Sequence, residues 1–180
     1  MKGHGRIFLV MLVLAMVAAG CAAMMEPAPT LYERLTIRQP MPGGFDLTLR
    51  GRDTIAAIVD DFVANMVANP TTKARFDFKE WPQTKALIAK GLPPPLANLQ
   101  VVSTFKAHLA DQICEAAGGS CSYAGRDMKT AHTGMSITEA EWSATVDAFA
   151  KALDKRKVLE KEKNELLGLL GPLKKDIVGQ

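Results

Sequence analysis

Apolar residues recur at helical spacing over most of this chain and alternate at strand spacing almost nowhere. In TIAAIVDDFVANMVANP, residues 54–70, Ile55, Ile58, Val59, Phe62 and Met66 fall on one face, with Asp60 and Asp61 off it. That pattern predicts an amphipathic helix capped by Asp53 or Thr54 and ended by Asn69-Pro70. Residues 98–116 repeat it through Val102, Phe105, Leu109, Ile113 and Ala116, and Gly118-Gly119 breaks it. A third helix starts at Thr138, where TEAE is a capping-box sequence: Thr138 and Glu141 can each satisfy a free backbone N–H. Its apolar face is Trp142, Val146, Phe149 and Leu153. The last helix is expected from about Leu159 to Val178, with Leu166, Leu169 or Leu170, Leu173 and Ile177 inward and a kink at Gly171-Pro172.

Two stretches break this rhythm. TIRQPMPGGFDLTLRGRD, 36–53, is rich in turn residues and holds one short extended piece at FDLTL. FKEWPQTKALIAKGLPPPLA, 78–97, has room for a helical turn or two before Pro93, Pro94 and Pro95. Both are expected as insertions or loops on an all-α domain. No internal repeat or low-complexity segment is evident.

The first twenty residues have the form of a signal peptide. Lys2 and Arg6 give a basic start, and IFLVMLVLAMVAA is an apolar run shorter than the roughly 20 residues a membrane span needs. AAGC then resembles a bacterial lipobox, in which the cysteine, here Cys21, becomes the lipidated first residue of the mature protein. The alternative is an ordinary secretory signal with Cys21 incidental. Residues 21–30 are expected as a lipidated tether, and 31–180 as one domain. Ala22 in place of an aspartate favours the outer over the inner membrane, on the periplasmic side of the cell envelope. Without Lys2 and Arg6, twenty of the 22 basic side chains face 19 acidic ones, so nothing suggests a nucleic-acid surface.

Cys114 and Cys121 remain, seven apart across a Gly-Gly turn in an oxidising compartment. A disulfide there would contribute about 2–3 kcal/mol by the chain-entropy model. The alternative is a buried thiol at 114 and a loop thiol at 121. CxxC, HExxH and CxxCH are absent, and no serine sits in a nucleophile elbow. What stands out is His132, with Met128 four residues before it and Met135 three after, so that the three share a helical stripe. Such a stripe is either a plain core face or a wall against a flat apolar cofactor, whose iron a neutral imidazole can ligate.

LYERL at 31, IVDDF at 58, ARF at 74, CEAAGG at 114, YAGRDMKTAHTGMSIT at 123 and the closing LLGPLKKDIV together resemble the group I truncated haemoglobins. The resemblance implies a two-over-two helical sandwich around one non-covalent haem b. It matches His132 to the proximal iron ligand, with Met128, Tyr123 and Met135 around it. It places Phe76 on the haem face, Phe62 just before the distal position, Phe105, His108, Leu109 and Ile113 on the distal helix, and Val146 against the porphyrin. The implied partners are a diatomic gas ligand (oxygen, NO or CO), an unidentified reductant for the iron, and the membrane through the lipid.

Three departures qualify the implied function. Where group I members commonly carry a distal tyrosine this chain has Val63, and Leu109 stands where a glutamine often assists. Loss of both donors would weaken oxygen retention by about tenfold or more, since each hydrogen bond contributes on the order of 1 kcal/mol. His108 either coordinates iron as a sixth ligand, donates to ligand, or points outward near the propionates. The two insertions, 36–53 and 78–97, are the third departure; Trp81 and the prolines either cover the distal pocket, meet a partner, or form a tolerated surface insertion. Oxygen binding or transport, nitric-oxide dioxygenation and peroxidase-like chemistry all stay open. So does an interaction lipoprotein on a globin-derived fold that holds no haem.

Overall fold

Helices form wherever the apolar spacing holds, and a small hairpin forms where it does not. The computed structural model describes residues 27–44 and 46–180. The expected signal peptide and Cys21 lie outside the described residues. In order, the elements are α1 (Leu31–Arg34), β1 (Thr36–Pro40), β2 (Asp46–Arg50), α2 (Gly51–Ala68), α3 (Pro82–Ala89), α4 (Pro94–Ala116), α5 (Met128–His132), α6 (Glu139–Lys155), α7 (Glu160–Gly168) and a 3-10 helix, Gly171–Asp176.

The helix α2 is the spine. It turns Ile55, Ile58, Val59, Phe62, Val63 and Met66 into the core. It packs on α6, through Ala148, Phe149, Ala152 and Leu153, and on α4, through Val101, Ala110 and Cys114. The Phe62 and Phe149 rings meet edge to face, 5.2 Å between centroids, the arrangement that ring quadrupoles favour. At the far end of α2, Asn69 closes the helix. The capping box expected at Thr138 is present, each partner satisfying the other's backbone N–H.

Several expectations need correction. Segment 36–53 is no plain loop: β1 and β2 pair antiparallel from Thr36↔Arg50 to Pro40↔Asp46, with Ile37 buried and the proline at the hairpin end. β2 runs straight into α2, which therefore begins at Gly51, and neither Asp53 nor Thr54 caps it. Instead the Arg52 N–H donates to the Tyr32 hydroxyl, 3.2 Å, and the Gly51 N–H to the Leu35 carbonyl, 3.0 Å. Asp61, expected on the solvent side, is 7% exposed. It is tolerated there because Lys155 and Arg156 of the α6 terminus both bind it. Burial alone pushes its carboxyl up, but the hydrogen bonds from Lys155 and Arg156 and their charges outweigh that and hold it below the usual carboxylate value. On α4, Ala116 faces solvent, while Cys114 and Ala117 turn inward. The last helix does not bend at Gly171-Pro172 but stops at Gly168 and restarts as the 3-10 helix, where Pro172 has no N–H to continue an α-helical ladder.

Tyr32 explains why LYERL and the double glycine belong together. Gly51 has φ +50°, and a Cβ built on it would stand 2.7 Å from Tyr32 Cζ. A Cβ at Gly119 would stand 2.7 Å from Tyr32 Cδ2 and 2.6 Å from Cys114 Sγ. One ring is thus clasped between two glycines on different elements, and Arg34 next to it binds Glu162 (2.9 Å) and Glu165 of α7. Gly51→Ala should therefore lower stability by about 2–3 kcal/mol, through strained φ and a clash. Gly44→Ala, whose φ is +80° with nothing within 4 Å of the added methyl, should lose only about 1 kcal/mol. Urea denaturation of both variants checks the difference, and equal losses would contradict the clasp.

Candidate functional site

His132 sits at the end of a five-residue helix that begins at Asp127, whose carboxylate accepts from the Thr130 N–H at 2.9 Å. A hydrogen bond from the Thr130 side chain, then that N–H and further backbone donors, hold Asp127 below its ordinary value. The His132 Nδ1 lies 2.8 Å from the Met128 carbonyl oxygen. A carbonyl only accepts, so Nδ1 carries the hydrogen and the Nε2 lone pair is left free. The ring is half-buried. Beyond it the chain is tied down by its own C-terminus: Ile137 bridges Val178, Gly179 N–H donates to the Ile137 carbonyl (2.9 Å), and Ser136 N–H donates to that of Gln180 (2.6 Å).

Two half-buried apolar walls make little contact with each other, and the space between them is the candidate slot. α2 packs on both α4 and α6, whereas α4 makes little contact with either α5 or α6. One wall is the stripe Phe105, Leu109 and Ile113 of α4, half-buried, with Phe76 beside Phe105 at 5.9 Å between ring centroids. The other is Met128, His132, Met135 and Val146, also half-buried, from α5, the following loop and α6. Among the described residues Met128, Met135 and Val146 are not packed onto the central core. They are apolar surfaces that water covers only at a cost, and a flat apolar molecule between the walls would cover them. Among the described residues no three His, Cys, Asp or Glu side chains gather to hold a metal ion. A metal at His132 must bring its other ligands with it, as a macrocycle does. The donor set and the walls therefore fit haem.

The remaining sequence-derived site residues fall less simply. Phe62 is 8% exposed and sits in the core against Phe149. Val63 is buried at 3%. His108 is exposed and meets the Tyr123 ring edge-on at 6.2 Å. Tyr123, expected around His132, thus contacts α4; its hydroxyl donates to the Arg126 carbonyl at 2.9 Å, and burial pushes its phenol up. Cys114 and Cys121 are joined in a disulfide with Cα atoms 5.8 Å apart. It fastens the end of α4 to the loop leading toward α5, and Arg52 donates to Cys121 Sγ at 3.4 Å.

Arg75 was missed in the sequence, and the tie that fixes Trp81 was not legible there, although Trp81 itself was singled out. Arg75 Nε donates to Glu141 Oε1 at 2.7 Å and its Nη1 to the Met135 carbonyl at 2.8 Å, while its own carbonyl accepts from Trp81 Nε1 at 2.9 Å. One residue thus joins the loop after His132 to the segment beside Phe105. ARF and TEAE were each visible as motifs, but 66 residues separate Arg75 from Glu141, and no local pattern marks the pair. Two surface depressions lie elsewhere, one between Glu139 and the 3-10 helix, the other along Val67, Lys73, Phe76, Phe78 and Asn98; neither reaches His132.

The family model described as bacterial-like globin matches residues 97–178. Among solved structures, the truncated haemoglobin from Tetrahymena pyriformis in its Fe(III) form is 22% identical, with a TM-score of 0.59 over 84% of this chain and 100% of that one. The 2/2 haemoglobin of Synechococcus sp. PCC 7002, in the cyanomet state with covalently attached haem, is 18% identical, with a TM-score of 0.59 over 83% and 98%. No curated protein matches. The chain has the truncated, two-over-two globin fold.

The Arg75–Glu141 pair has a pH signature. The hydrogen bond from Arg75, with those from Thr138, holds the Glu141 carboxyl down to about 2, against burial that would raise it. A carboxyl depressed in the folded state stabilises fully above its unfolded value of 4.5 and loses that contribution as pH falls toward 2. Glu141→Gln should therefore lower stability at pH 7 and flatten its decline between pH 4.5 and 2. Thermal melts across that window check this, and a decline as steep as in the unaltered protein would contradict it.

Proposed function

We propose that this chain is a haem-binding truncated globin of the group I type, held in the cell envelope by a lipid on Cys21. The observation that carries the haem reading is His132, its Nδ1–H on the Met128 carbonyl, on the same wall as Met128, Met135 and Val146, which are not packed onto the central core. Haem, held by His132, would supply an iron able to take a diatomic gas. The residues do the rest. The Nδ1 hydrogen bond fixes the tautomer and spin of the His132 ring, so that Nε2 is presented without further ordering cost. Met128, Met135, Val146, Leu109 and Ile113 would line the group with apolar side chains and keep water from it. The chain has no CxxCH, and Cys114 and Cys121 are bonded to each other, which supports a non-covalent haem b.

The distal side sets ligand preference. Val63 and Leu109 offer no N–H or O–H, so a polarised ligand such as oxygen gains no hydrogen bond there, while CO and NO need none. His108 is exposed beside Tyr123, which supports a role at the slot's rim rather than on the iron. This favours sensing or delivery of weakly polarised gases over nitric-oxide dioxygenation, which needs oxygen retained until it reacts. The envelope location rests on AAGC at the end of the apolar run; an unmodified Cys21 in the mass of the mature N-terminus would remove it.

The purified protein supplied with haem should show a strong Soret band that shifts with CO after reduction by dithionite. Leu109→Gln should then slow oxygen dissociation by about fivefold to tenfold, the worth of one hydrogen bond of about 1 kcal/mol or slightly more. A folded helical protein that takes up no haem would sink the reading. An unchanged oxygen rate in Leu109→Gln would sink the distal assignment alone.

A further inference from the structure

Segment 78–97 does more than lengthen the chain between α2 and α4. It delivers Trp81, whose ring lies 4.5 Å from Phe78, 5.3 Å from Phe105 and 6.4 Å from Phe76, centroid to centroid. The contact with Phe105 is edge to face at 81°, and Phe78 beneath is 7% exposed. On the haem reading Phe76 and Phe105 lie on the ligand side, and Trp81 packs against both.

Its orientation is fixed as well as its position. The indole N–H is spent on the Arg75 carbonyl, so the ring offers the slot only carbon. Arg75 in turn grips the Met135 carbonyl and Glu141. The loop that follows His132 and the aromatic cluster over α4 are thereby joined through a single residue. Thr84 Oγ1 donates to the Phe78 carbonyl at 2.6 Å and is itself 1% exposed, which anchors the start of α3 under the cluster.

We propose that Trp81 is the steric gate of the distal side, setting how fast a neutral diatomic ligand, and water, reach the iron. This rests on the haem reading of the slot. A gate made of carbon and held from its back gives discrimination by size and polarity where Val63 and Leu109 give no hydrogen bond. Small apolar gases pass by brief displacement of the ring, while water finds no polar step on the way.

Flash photolysis of the CO complex of the reduced holoprotein tests it. Trp81→Ala should rebind CO from solution at least about tenfold faster, and Trp81→Phe within about twofold of the unaltered protein. Ferric Trp81→Ala should also gain the spectrum of a water-ligated iron. In the haem-free protein carrying Trp142→Phe, Trp81 is the sole tryptophan; its emission should resist acrylamide, and Phe105→Ala should open it to quenching. A normal Soret band with an unchanged CO rate in Trp81→Ala overturns the gate. So does free quenching of Trp81 in the haem-free protein, a measurement that holds even if Trp81→Ala fails to fold. Absence of a Soret band in the unaltered protein overturns the haem reading instead, and the two failures are distinct.

Discussion

One helix, α2, seats both α4 and α6, while α5 with His132 packs on the 3-10 helix, and that arrangement governs the rest of the molecule. α2 buries one set of side chains under α6 and another under α4. With α4 and α6 both seated on α2 and barely touching each other, a gap between them follows from the packing itself. The side chains that line it are apolar on both sides. Left to water, such surface costs on the order of 25 cal/mol per Å². The gap is therefore either closed by collapse or filled by something flat and apolar. On the haem reading, His132 would supply that filler with its metal ligand.

The edges of the slot are held by contacts that are each modest and together prevent collapse. Tyr32 pins the start of α2 against the double glycine after α4. The Cys114–Cys121 disulfide fixes the loop leading to α5. Gln180 and Gly179 bind the loop beyond His132, and Arg75 crosses from that loop to the aromatic cluster. Asp61, between Lys155 and Arg156, locks the far end of α6 to α2. On the His132 wall, Met128, Met135 and Val146 stay outside the central core, whereas Phe105, Leu109 and Ile113 pack against it.

What could be read in the sequence was what repeats locally. The 3.6-residue spacing showed the buried faces of α2 and α6, and TEAE marked the start of α6 correctly because a capping box is complete within four residues. Met128 and His132 share α5 as the spacing suggested, but the helix ends at His132 and Met135 lies in the loop beyond it rather than on one helical stripe. What escaped was set by partners far along the chain. Asp61 reads as a surface residue until Lys155 and Arg156 arrive beside it. β1 was hidden because TIRQP holds one buried side chain, Ile37, and a proline. The start of α2 depends on a hydroxyl 20 residues away, and the place of Trp81 on Phe105 and the Arg75 carbonyl. The last helix broke where two expectations competed: leucine spacing through 173 argued for continuity, and Gly171-Pro172 won more completely than a kink.

The most direct test is the absorption spectrum of His132→Gly with haem supplied, recorded with and without imidazole. If His132 holds the iron, the glycine variant should bind haem weakly or lose it, and added imidazole, entering the space the side chain left, should restore the Soret band of the unaltered protein. A His132→Gly spectrum identical to that of the unaltered protein, indifferent to imidazole, would show that the iron is held elsewhere.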